Sequence, residues 1–123
     1  MSNEILIKIF LDILDSIQIV IKRSSVIKSY NDFIKNENGI EKLDAISMRL
    51  QAIGEAIKKV ASTEISILNR YPEINWKDII NFRDKISHHY FDLDAEVIFL
   101  ICENDIPLLE KTIKNILNDL EKS

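Results

Sequence analysis

The chain has 123 residues with a mass of 14.3 kDa, which is one domain's worth of polypeptide. It carries 46% hydrophobic and 29% charged residues at a mean hydropathy of -0.01, values that exclude a disordered tail or a membrane-embedded protein. Only 2 Gly and 2 Pro are present, too few for a phosphate-cradling loop, a dinucleotide fold or an all-β barrel with its tight turns.

A formal net charge of -4 and a pI near 5.2 mean that any nucleic-acid site is a local patch. Cys102 is the only cysteine, so no intramolecular disulfide and no cysteine-type zinc site can form. It reads as a small core residue in a reducing, cytoplasmic setting.

The opening stretch MSNEILIKIFLDILDSIQIVIK is apolar but broken by Lys8, Asp12 and Asp15. No small-residue cleavage site follows, so neither a signal peptide nor a membrane span is expected. Ser2 is the expected N-cap of a first helix running to about Ser24. Its apolar face is wider than one core contact needs, which predicts packing of part of it against a second subunit.

SYNDFIKNENG predicts a short helix with loop ends, with Gly39 as its breaker. A long amphipathic helix follows from about Ile40 to Ala61. Leu43, Ile46, Leu50, Ile53, Ile57 and Val60 keep helical spacing on it. Gly54 inside this helix costs about 1 kcal/mol against alanine, and a close helix crossing would explain it. Ser62, Thr63 and Glu64 are expected to cap a short helix ending near Tyr71, and Pro72 forces a break. Asn75 or the turn before it starts a helix from Trp76 to about His89, with Trp76 as a core anchor. Asp94 is the expected cap of the last helix, in which Pro107 either makes a kink or begins a new turn after Asn104 or Asp105. The sum is a single all-α domain over residues 1–123, an up-and-down bundle of four main helices with an additional short one.

Chemistry-bearing residues concentrate in NFRDKISHHYFDLD, residues 81–94. At 100° per residue Arg83 falls inside the apolar stripe of Trp76, Ile79, Ile80, Ile86 and Tyr90. A guanidinium there needs a partner. His88 points to another side, roughly 140° away, with Asp84 one turn before it and placed to orient it. Two readings of this stretch stand side by side. A helix C-terminus attracts His, Lys and Arg by its dipole alone. Alternatively, Arg83 and His88 meet on one substrate through fraying, arginine's reach or a second subunit. His88 and His89 are neighbours about 100° apart and lack the i, i+4 spacing of a metal pair, so no metal is expected. Lys58 and Lys59 either add to an RNA path or form a solvated face. Asp92 and Asp94 either bind a cation or leave Asp94 as a cap.

Arg83, four residues, His88, one residue and Tyr90 make the pattern R-x4-H-x-Y. With IGEAIKKV (53–60), RYPEINW (70–76), FRDKISHHYFDLD (82–94) and NDIPLLEK (104–111) in this order, the chain resembles the HepT-like toxins of the HEPN superfamily over nearly its whole length. The resemblance implies an all-α HEPN bundle, a homodimer and a composite RNase site across the dimer cleft. It implies a partner as well, a minimal MntA-like nucleotidyltransferase antitoxin that transfers AMP onto the motif tyrosine. Carried over, Arg83 and His88 become the catalytic residues, Asp84 a supporting residue and Tyr90 the AMPylation site of a type VII toxin, with RNA as substrate and no cofactor. Asp84 stands where the family often has Asn, which adds negative charge near an RNA phosphate. A non-catalytic helical dimer that binds a nucleotidyltransferase or a nucleotide is the alternative implied by the same residues.

Overall fold

The computed structural model describes residues 1–88 and 94–122, the His88 side chain excepted. Among them every regular element is helical. In chain order these are α1 (Asn3–Ser24), α2 (Asn31–Ile34), α3 (Glu37–Thr63), α4 (Ile65–Asn69), α5 (Trp76–His88), α6 (Ala95–Leu100), a π turn (Ile101–Asp105) and α7 (Ile106–Glu121).

The helix starts follow side-chain chemistry. Ser2 caps α1 by accepting from the Ile5 amide, and Asp94 caps α6 by accepting from the Glu96 amide at 2.9 Å. Asn75 accepts from the Asp78 amide at 3.1 Å at the start of α5. The turn between α1 and α2 is closed by Asp32, whose carboxylate accepts from the Lys28 amide at 2.7 Å.

Two boundaries differ from the sequence reading. Gly39 does not break a helix. It lies inside α3, which Asn36 caps by accepting from the Gly39 amide at 2.9 Å. Glycine is needed there for room, because a Cβ would stand 2.0 Å from the Asp32 carbonyl oxygen at α2. Ser62 and Thr63 do not cap α4. Their hydroxyls donate back to the Lys59 carbonyl at 2.9 and 2.8 Å, so they finish α3, and α4 ends at Asn69.

The core is one cluster in which Phe10, Ile17, Phe33, Ile46, Ile57 and Ile113 are fully buried. Each such side chain is worth about 1.5–3 kcal/mol of transfer free energy. α1 packs against both α3 and α7, while α3 also carries α5. The central place of α1 accounts for most of its wide apolar face within the chain itself. Ile5 and Leu11 are what it leaves exposed.

Residues 95–121 run as helix without an intervening non-helical residue, and Pro107 is accommodated at a change of helix type. The π turn at Ile101–Asp105 comes first, and Pro107 then sits in the first turn of α7, where its missing N–H costs nothing. Trp76 anchors the loop before α5, its indole N–H shared between the carbonyls of Leu68 at 3.0 Å and Tyr71 at 3.1 Å. Tyr71 in turn donates its hydroxyl to Asp119 of α7, which ties the loop to the last helix. These contacts fix where α5, with Arg83 on it, lies against α3.

Candidate functional site at the α3–α5 crossing

Gly54 of α3 is buried directly against Arg83 of α5. A Cβ built on Gly54 would lie 2.4 Å from the Arg83 Cβ and 2.9 Å from its Cγ. The close crossing expected from Gly54 is therefore the contact that seats the arginine. The Arg83 stem is pinned between helices, and only 19% of the side chain remains exposed.

Its guanidinium is bridged by two carboxylates. Nη2 pairs with Oε2 of Glu55, the residue after Gly54, and Nη1 donates to Oδ1 of Asp84 at 2.8 Å. Lys58, one turn beyond Glu55 on α3, reaches the same Asp84 oxygen at 3.5 Å. Two cations and two anions thus form a formally neutral quartet. The Nε of Arg83 is buried with no hydrogen-bond partner among the described residues.

The electrostatics follow from this pairing. The hydrogen bond to Asp84 raises the Arg83 pKa above its ordinary value, and the Glu55 pairing adds to it against the opposing effect of burial. The hydrogen bond from Arg83 holds the Asp84 carboxyl below its ordinary value, with Lys58 contributing.

Of the residues singled out from sequence, Arg83 and Asp84 are brought together. The Asp84–His88 contact expected from helical spacing is not among the described contacts, because the His88 side chain falls outside the described residues, as do His89, Tyr90 and Asp92. The Asp84 carboxylate pairs with Arg83 and Lys58. Asp94 is a helix cap. Glu55 went unnoticed in the sequence. The signal that could have found it is its position directly after a mid-helix glycine, where a neighbouring helix must pass.

A cleft of about 430 Å³ borders this crossing, between α3, α5 and the π turn, with Ile53 and Phe82 in its wall. Its polar groups include Glu73, Asp78 and Asp105, and its floor is apolar. Such acidic walls disfavour a phosphate in this cleft whatever its size. Among the described residues no group of His, Cys, Asp and Glu is placed to hold a metal ion, and no helix is long and apolar enough to cross a membrane.

The family model described as "Ribonuclease HepT-like" matches residues 7–116, and the chain belongs to that family. A Methanocaldococcus jannaschii protein named "Putative RNase" is 32% identical over 110 residues, covering 89% of this chain and 85% of that protein. Another of the same name and organism is 34% identical over 116 residues, covering 94% and 90%. A Thermococcus cleftensis protein named "Probable ribonuclease HepT" is 35% identical over 66 residues, covering 54% and 57%. No solved structure matches the chain significantly.

Proposed function

We propose that this chain is the toxin of a type VII HepT/MntA-like toxin–antitoxin pair, a metal-independent endoribonuclease acting as a homodimer in the cytoplasm. Membership of the HepT-like ribonuclease family carries this reading. The seating of Arg83 at the α3–α5 crossing supports it, because the stem of the guanidinium is held in place before any phosphate arrives.

The chemistry needs three parts. A base removes the proton from a ribose 2′-OH, and that oxygen attacks phosphorus. The P–O5′ bond breaks, and an acid returns a proton to the departing 5′-oxygen. A cation offsets charge on the phosphorane. His88 from each of two subunits supplies base and acid, since imidazole titrates near neutrality. Arg83 supplies the cation. The products are a 2′,3′-cyclic phosphate and a 5′-hydroxyl. Tyr90 accepts AMP from the nucleotidyltransferase partner, and the added phosphate and adenine obstruct RNA.

The test is cleavage of a labelled single-stranded RNA in EDTA, with intact mass confirming that Tyr90 is unmodified. Wild type should yield cyclic-phosphate ends and His88→Ala should not. Cleavage undiminished in His88→Ala removes His88 from the site. One observation favours a second reading, a non-catalytic helical dimer that binds a nucleotidyltransferase or a nucleotide. Both terminal nitrogens of Arg83 are already paired with carboxylates. No cleavage of several RNAs by unmodified wild type would select that reading.

A further inference from the structure

Lys58 and Arg83 reach from different helices to a single carboxylate oxygen, Oδ1 of Asp84, at 3.5 and 2.8 Å. An anionic oxygen held between an ammonium and a guanidinium is also how a phosphodiester oxygen would sit at such a pair. We propose that Lys58 and Arg83 form a two-cation clamp for one RNA phosphodiester, held shut in the free protein by the carboxylates of Asp84 and Glu55. This rests on the reading of Arg83 as the residue that meets RNA phosphate, and it adds Lys58 as a binding residue and Glu55 as its counter-charge.

The two cations differ in mobility. Arg83 is pinned by Gly54 and 19% exposed, so its position is fixed before RNA arrives. Lys58 is 50% exposed and Asp84 39%. The exposed Lys58–Asp84 pair is weak at that distance, so an entering phosphate has to displace Asp84 chiefly from its 2.8 Å hydrogen bond with Arg83. The quartet is formally neutral, so the free site exerts little net pull on a polyanion. Entry of a phosphate replaces one negative oxygen by another between the same cations. Glu55 is 59% exposed and keeps the far side of the guanidinium engaged during that exchange. The acidic balance of the whole chain is consistent with such a device, because attraction is confined to one place and one displacement.

The experiment uses a fluorescein-labelled, 2′-O-methylated single-stranded oligouridylate, whose blocked 2′-oxygens prevent cleavage during a binding measurement. Anisotropy titrations at several salt concentrations compare wild type with Arg83→Ala, Lys58→Ala, Asp84→Asn and Glu55→Gln, each checked by thermal melt. Lys58→Gln replaces Lys58→Ala if the latter does not melt cooperatively. Loss of Lys58 should weaken binding about fivefold or more and flatten the salt slope by about 0.7, one single-strand phosphate contact. Asp84→Asn and Glu55→Gln should each tighten binding severalfold, and the gain from Asp84→Asn should shrink when Lys58 is also removed. Unchanged affinity and slope without Lys58, or binding by Asp84→Asn no tighter than wild type, overturns the clamp. If those results come while Arg83→Ala still weakens binding, only the clamp falls. If wild type does not bind, or Arg83→Ala binds as well as wild type, the reading of Arg83 as the RNA contact falls and the clamp falls with it.

Discussion

Gly54 and Arg83 occupy one contact, and neither residue can be understood without the other. The absent Cβ at position 54 is the space in which the Arg83 stem lies. A methyl group there would stand 2.4 Å from the Arg83 Cβ, an atom tied to the α5 backbone that cannot swing aside. Gly54→Ala therefore sets two effects against each other. Alanine favours the helix by about 1 kcal/mol. Overpacking a tight helix crossing costs typically about 1–3 kcal/mol. The crossing should win, with a net loss of stability and a displaced guanidinium. A lower Tm together with weaker RNA cleavage checks this. A variant as stable and as active as wild type would show that α5 is free to back away.

How much of this was legible beforehand varies by residue. Ser2, Asn75 and Asp94 as caps and Trp76 as an anchor are local chemistry, and these stand where the pattern put them. The purpose of Gly54 was legible because a mid-helix glycine has few other uses. Gly39 was misread for the opposite reason. Glycine as a breaker is a local rule, whereas its role here is to let the Asp32 carbonyl approach from another segment. Periodicity placed Arg83 on an apolar stripe and demanded a partner, but nothing local named Glu55 from 28 residues upstream. That pairing is made by the crossing of two helices. The R-x4-H-x-Y spacing was readable as a motif, while whether His88 and Arg83 share one substrate depends on geometry that a linear spacing does not contain.

The Asp84 ion pair predicts a stability effect confined to one pH window. The carboxyl is held below its ordinary value of 3.8 by the hydrogen bond from Arg83, assisted by Lys58. A carboxyl depressed in the folded state contributes stability above its unfolded pKa, and that contribution is lost as pH falls through the lower folded value. Asp84→Asn should thus melt below wild type at neutral pH, and the gap should close in acid. Chemical denaturation of both proteins at neutral pH and at about pH 3 measures it. A gap that stays constant or widens in acid would assign the effect to packing instead of charge.

Tyr71 makes a separate prediction about the frame that holds α5. Its ring is buried and its hydroxyl donates to Asp119 of α7, while burial and that hydrogen bond push its pKa up to about 12. Tyr71→Phe keeps the ring and removes only the donor. A hydrogen bond to a charged group contributes about 1.5–3 kcal/mol, so the variant should melt several degrees lower while remaining folded. Spectrophotometric titration should find that Tyr71 ionises at a higher pH than an ordinary tyrosine. Ordinary titration of all three tyrosines, or an unchanged Tm in Tyr71→Phe, would show that the tie to α7 contributes little.

Cys102 sits in the π turn, partly buried against the core, and burial pushes its thiol up to about 11. The thiolate is the reactive form, so at pH 7.5 only a very small fraction can react. Alkylation by iodoacetamide should be slow in the folded protein and fast in denaturant. Rapid labelling of the native chain would mean that the π turn opens often. The residue would then be a sensor of motion where α6 meets α7, not an inert filler of the core.

Tyr90 carries the prediction that separates a regulated toxin from a simple nuclease. It stands seven residues after Arg83 in the sequence, and AMP joined to its phenol brings one phosphodiester charge and an adenine. If that charge competes for the Arg83 guanidinium, modification and cleavage must be mutually exclusive. Co-expression with a nucleotidyltransferase encoded beside this chain should raise its mass by whole multiples of AMP, and the modified protein should leave RNA intact. Tyr90→Phe should gain no mass and should keep cutting in the presence of the transferase. Mass gain that persists in Tyr90→Phe would place the acceptor elsewhere. Cleavage that persists in the fully modified protein would mean that the added phosphate does not reach Arg83, and the silencing step would have to act on another surface.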